Sequence, residues 1–118
     1  AQESFHVLTV NARNALINRH MATLGLADSV LVHPREVFRA AIQDGASAII
    51  LVHNHPSGDP MPSAEDLRIT RQMVEAGKVV GIAVIDHVIV GRGVETADGK
   101  PGRPAFLSLR ESGLCGFD

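Results

Sequence analysis

Residues 48–66 read AIILVHNHPSGDPMPSAED, and this stretch decides the fold. Ala48–Val52 is an unbroken apolar run, the pattern of a strand buried in the middle of a sheet. The character changes at His53. Between His53 and Pro62 stand three prolines, one glycine and two histidines, so a loop follows directly on the buried strand. Ser63 then opens a helix, because Ser63 and Asp66 stand in the S-x-x-D capping arrangement. That helix is expected to run to about Ala76, with Gly77 after it.

Working outward, Pro34 suits the first position of an earlier helix, where its missing N–H costs nothing, and Glu36 suits the positive end of the helix dipole. Val37, Phe38, Ala41 and Ile42 recur at helical spacing, and Gly45 is a plausible stop. Upstream, residues 5–10 (FHVLTV) are β-prone, and the polar Asn11–Asn14 turn and Ala15–Arg19 make a hairpin with them. Residues 20–28 are ambiguous, Gly25 argues for a turn, and Ser29–Val32 reads as a short strand. Downstream, Val79–Val90 holds one long strand or two short ones. Gly91–Pro104, with four glycines and two prolines, is a loop, and Phe106–Leu109 is a last short strand. The whole is an α/β (α+β) fold, a mixed sheet flanked by helices. Residues 1–118 read as a single domain, and a first residue of Ala rather than Met suggests the C-terminal fragment of a longer chain.

Composition limits the classes of function. Of 118 residues, 45 % are apolar and 20 % charged, as in a globular protein, and with four Phe, no Trp and no Tyr the core falls to aliphatic side chains. The formal net charge of -2 lacks the basic excess of a duplex-binding domain, so nucleic acid is not an expected partner of this domain. The one cysteine, Cys115, can form neither an internal disulfide nor a thiolate zinc cluster. With no signal peptide and no run long enough to span a membrane, a reducing, cytoplasmic setting is the simplest expectation.

The chemistry gathers in the opening stretch. His53 and His55, two apart on an extended segment, point to the same side. A carboxylate in the first turn of the following helix, Asp66, completes a set of two imidazoles and one acid. Such a set suits Zn²⁺ and leaves a fourth position for water, whose pKa falls to roughly 7 on a catalytic zinc.

The run fits H-x-H-x7-S-x2-D at every spacing, on His53, His55, Ser63 and Asp66, and so resembles the JAMM (JAB1/MPN) metalloprotease signature. The wider context is similar to the bacterial RadC branch of that fold: VHPREVF at 32–38, ILVHNHPSGDPMPS at 50–63, EAGKVVGIAVIDHVIVG at 75–91 and LSLRESGL at 107–114. The resemblance implies a cytidine-deaminase-like JAB/MPN fold with zinc at the sheet edge, held by His53, His55 and Asp66. It implies Ser63 as donor to a developing oxyanion and an upstream glutamate as general base. Glu3, in Glu3-Ser4-Phe5-His6-Val7-Leu8, matches the family's E-x-F-x-x-L pattern, and Glu36 is the rival. The implied activity is zinc-dependent hydrolysis of a peptide or isopeptide bond in a protein or peptide substrate. One departure is the longer Gly-rich connection over Arg92–Arg103, either a specificity loop or a neutral insertion.

Blander readings stand beside these. Ser63 and Asp66 make a helix cap whether or not they touch substrate, and a capped helix start holds a ligand still. Glu3 could be a solvated residue, and His87 is expected to be a hydrogen-bonded core or edge histidine. An exposed edge strand such as 5–10 could pair between subunits into a homo-oligomer. Rival functions are a DNA-repair-associated RadC module and a non-catalytic binding domain. A nucleoside deaminase needs H-x-E with P-C-x-x-C, which one cysteine excludes.

Overall fold

A computed structural model describes residues 3–24, 32–94 and 102–118. The elements run β1 (Ser4–Val10), β2 (Leu16–Leu24), α1 (Pro34–Gln43), β3 (Ala48–Asn54), α2 (Ala64–Val80), β4 (Ala83–Val90), β5 (Phe106–Ser108) and α3 (Leu109–Ser112). They form a five-stranded sheet in the order β2-β1-β3-β4-β5. Only β3 and β4 pair in parallel, and α2 makes the crossover that parallel neighbours require. The mixed α+β architecture expected from the sequence is what the chain adopts.

Strand alternation divides the sheet into two faces. Phe5 and Val7 of β1, Ile49 and Leu51 of β3 and Val84 of β4 join one buried cluster. Val37, Phe38 and Ala41 of α1 and Ile69, Met73 and Val74 of α2 pack into the same cluster, so both long helices cover one face. His53 continues the inward series two residues beyond Leu51 and is buried at the end of β3.

Three expectations need correction. First, β1 is no edge: it lies between β2 and β3 with both ladders filled, so strand 5–10 has no free edge to offer a second subunit. Second, β3 does not stop at Val52. His53 and Asn54 stay in the strand because Ile89 and Val90 of β4 continue alongside them. Third, α2 passes through Gly77 to Val80, so Val79 and Val80 are helical, and the left-handed cap is Gly81 (φ 76°). The hairpin holds, but β2 extends to Leu24. The predicted strand at Ser29–Val32 lies, apart from Val32, outside the described residues, as do residues 95–101 of the 92–103 connection.

Gly77 is inside α2 for a packing reason. A Cβ there would lie 2.4 Å from the carbonyl oxygen of Ile82. Gly77→Ala is therefore expected to destabilise the fold by about 1–3 kcal/mol through overpacking, although alanine is the better helix former. Urea unfolding of the two chains checks the sign. A stabilised variant would show that the helix end gives way freely.

Candidate metal centre

The backbone brings the predicted residues together from three places. His53 is the penultimate residue of β3, His55 follows directly after the strand, and Asp66 is the third residue of α2. Each can turn a ligand atom to a common point, and these atoms all lie within 4.8 Å of one another. His53 and Asp66 are buried, each 4 % exposed.

The cap and the candidate ligand are one structure. Ser63 Oγ accepts from the Asp66 backbone N–H at 3.1 Å, and Asp66 Oδ2 accepts from the Ser63 N–H at 2.8 Å. The same Oδ2 lies 2.9 Å from His55 Nε2. On the far side of that ring, His55 Nδ1 donates to the Asp59 carbonyl at 2.8 Å. A carbonyl only accepts, so Nδ1 carries a hydrogen, and the lone pair that Nε2 offers to a metal faces a carboxylate oxygen. Two lone pairs at that distance repel unless a proton or a metal cation lies between them.

His53 tells the same story. Its Nε2 meets Glu3 Oε1 at 2.5 Å. Its Nδ1 stands 3.3 Å from Asp66 Oδ1, but this is an ion-pair contact without hydrogen-bond alignment, and Nδ1 is buried without a hydrogen-bond partner among the described residues. Burial opposes a charged imidazole here. The carboxylates of Asp66 and Glu3 outweigh it and hold the His53 pKa above its usual value. Burial likewise opposes ionisation of Asp66, yet His53 and the Ser63 N–H hold its carboxyl well below the usual range. With both imidazoles neutral, two carboxylates carry charge -2 in a buried place. A divalent cation balances that charge and satisfies the unpartnered nitrogen, so the residues present fit a metal ion of the zinc type.

Glu3 is placed by the sheet. Phe5 pairs with His53, which sets the start of β1 beside the end of β3. Asn54 then receives hydrogen bonds from Ser4 N at 2.5 Å and Ser4 Oγ at 3.0 Å, anchoring the residue next to Glu3. The rival Glu36 is exposed on α1 and pairs with Arg39 at 3.4 Å, away from the cluster.

His87 is the buried histidine expected, but it is tied to the site more closely than its sequence position reveals. Thr70 Oγ1 donates to the Asp66 carbonyl at 2.7 Å and so accepts from His87 Nδ1 at 2.6 Å. The chain His87–Thr70–Asp66 braces the first turn of α2. Thr70 and the anchoring of Ser4 by Asn54 were missed in the sequence. Thr70 carries a faint signal, four residues after Asp66 on one helix face. Asn54 carries none, because alternation directs it away from His53.

Burial lowers the His87 pKa to about 4, so His87 is neutral at pH 7. The unfolded chain, near 6.5, binds more protons between these values, so this contribution is present above pH 6.5 and is lost as pH falls toward 4. His6, lowered by burial and by Arg19, adds in the same direction. His53, raised, has gained its full contribution once pH drops below 6.5 and does not oppose them. Chelator-treated protein is therefore expected to lose about 3 kcal/mol between pH 6.5 and 4. Urea titrations should show that slope in the wild type and a shallower one in His87→Asn.

The sequence of the RadC-like JAB domain family matches residues 1–113. The chain belongs to this family. As a RadC-like JAB domain it is 49 % identical over 112 residues to a UPF0758 protein of Symbiobacterium thermophilum, covering 95 % of this chain and 43 % of that protein. A UPF0758 protein of Caldanaerobacter subterraneus subsp. tengcongensis is 47 % identical over 118 residues, 100 % of this chain and 46 % of the relative. One from Listeria monocytogenes is 44 % identical over 112 residues, 95 % and 45 %. This RadC-like JAB domain thus spans a little under half the length of the curated relatives it matches. Among the described residues no helix is long and apolar enough to cross a membrane.

Proposed function

We propose that this domain is a zinc-dependent hydrolase of peptide or isopeptide bonds, with His53, His55 and Asp66 as the metal ligands. The observation that carries the reading is the lone-pair face of His55 Nε2 set 2.9 Å from Asp66 Oδ2, with the buried, unpartnered His53 Nδ1 beside it. Zinc, when bound, supplies Lewis acidity and lowers the pKa of water to about 7. Glu3, against His53, takes the proton from the attacking water and returns it to the leaving amine. Ser63 donates its hydroxyl hydrogen to the oxyanion that develops on the substrate carbonyl. That hydrogen has no acceptor among the described residues, because Ser63 Oγ acts only as acceptor in its cap bond. Asp59 and the capping box hold the two ligands still, so little reorganisation accompanies the reaction.

Ser63→Ala separates the two roles of that residue. Loss of the cap alone costs about 1 kcal/mol of stability and leaves turnover unchanged. Loss of an oxyanion donor costs about 10²–10³ in kcat. Unfolding and peptide-hydrolysis assays on the same preparation should show both effects, and a loss of stability alone would remove Ser63 from the chemistry.

Metal content by mass spectrometry, read beside His53→Ala/His55→Ala, tests the whole reading. About one zinc per wild-type chain, absent from the double variant, together with zinc-dependent cleavage of a peptide library, is the expected result. No metal after zinc is added back would overturn it. Metal without cleavage would leave a binding domain, whether DNA-repair-associated or not.

A further inference from the structure

Two arginines of the β4–β5 connection meet the loop that carries His55. Gly58 N–H donates to the His55 carbonyl at 2.9 Å, and Arg92 N–H donates to the Gly58 carbonyl at 2.6 Å. A Cβ built on Gly58 would meet Arg92 Nε at 2.8 Å and Arg103 Nη2 at 3.0 Å, so both guanidinium groups converge over this one glycine. Gly58 (φ +91°) and Gly91, whose Cβ would lie 2.2 Å from the Gly58 carbonyl oxygen, let the backbones approach closely enough for this.

Each guanidinium is oriented by a neutral acceptor. Arg92 Nη2 donates to the Ser57 carbonyl at 3.4 Å, and Arg103 Nε donates to the Arg92 carbonyl at 3.2 Å. Neither meets a carboxylate among the described residues, whereas Arg39 and Arg68 pair with glutamates on their own helices. The nearest acid in the loop, Asp59, turns Oδ1 to the Met61 N–H instead. Two like charges over one point repel, and each retains N–H donors with no acceptor among the described residues. An anion with two oxygens relieves both, and the carbonyl contacts hold the forks ready for it.

We propose that Arg92 and Arg103, converging over Gly58 beside His55, form a carboxylate-binding subsite that selects an acidic side chain or a free C-terminus in a peptide substrate. The proposal rests on the hydrolase reading and names its substrate class. A peptide is favoured over a nucleic acid because the chain's net charge is -2 and two arginines alone do not track a phosphate backbone.

Fluorescence anisotropy at low salt tests this with four labelled probes: a Glu-rich peptide with an amidated end, its Gln counterpart amidated, the Gln counterpart with a free C-terminus, and a single-stranded DNA of similar length. At least a tenfold preference for a carboxylate peptide over the amidated Gln peptide is expected, and comparison of the first and third probes tells side chain from C-terminus. Arg92→Gln/Arg103→Gln should abolish the preference. Arg92→Lys/Arg103→Lys should restore only part of it, since lysine keeps the charge without the fork. Arg13→Gln, on the distant hairpin turn, should leave it intact. No preference in the wild type, a preference surviving the double Gln variant, or DNA bound more tightly than peptide through the same arginines would overturn the proposal. Wild type that shows the preference but no zinc-dependent hydrolysis fails the hydrolase reading alone.

Discussion

Glu3→Gln is expected to retain its zinc and to lose about 10²–10⁴ of kcat, the range for a positioned general base. Glutamine is nearly isosteric and its amide oxygen still accepts from His53 Nε2, which now lies 2.5 Å from Glu3 Oε1. The start of β1, fastened by Ser4 to Asn54, stays in place. What disappears is a group that can take a proton. KM should change little, and the acidic limb of the pH–kcat profile that reports the base should vanish. Metal content measured on the same sample guards against a trivial cause. Activity within tenfold of wild type would move the base elsewhere, and loss of zinc would make Glu3 a part of the ligand assembly.

Asp66→Asn is expected to weaken zinc binding by more than about 100-fold, beyond the 10–100-fold typical of partners that only orient a ligand. The substitution is chosen because Asp66 has two functions. Its carboxylate closes the capping box with Ser63 and faces both histidines. Asparagine still accepts from the Ser63 N–H through its carbonyl oxygen, so α2 keeps its start while the charge is lost. Asp66→Ala loses both, and in chelator-treated samples it should be less stable than Asp66→Asn by about 1 kcal/mol. Zinc titration by competition with a chromophoric chelator, beside urea unfolding of all three chains, reads the two functions separately. Equal zinc affinity in wild type and Asp66→Asn would exclude Asp66 as a ligand.

Much of the site was legible because its residues lie close together in sequence. His53, His55, Ser63 and Asp66 fall within one strand–loop–helix unit, where local rules set the geometry: period-two alternation aims the histidines, and the cap fixes the carboxylate. The family pattern pointed to Glu3, and the helix dipole already accounted for Glu36; in the fold Glu3 lies against His53, and Glu36 is exposed on α1. His87 was read as a buried histidine without a view of its link through Thr70 to Asp66, since that link joins β4 to α2 across the core.

The misjudged boundaries share a cause. Polar and proline-rich composition pointed to a loop from His53, yet the β4 neighbour keeps pairing through Asn54, and hydrogen bonds from another strand are invisible to local composition. Gly77 resembled a helix stop, but the close approach of the Ile82 carbonyl demands a residue without a side chain in the middle of that turn. Strand 5–10 resembled an edge because nothing local says where a strand sits in a sheet, and its two partners come from residues 16–24 and 48–54.

By itself, then, the sequence determined the types of the longer elements, the Val37–Phe38–Ala41 face of α1, though not the exposed Ile42, and the histidine–histidine–aspartate set, because these follow from periodicity and capping within a few residues. Only the tertiary structure decided the strand order, the seating of Glu3 on His53, the brace from His87 and the convergence of Arg92 and Arg103 over Gly58. Each of those depends on contacts between segments far apart in the chain, and such contacts are selected by packing and hydrogen-bond satisfaction over the whole fold rather than by local preference.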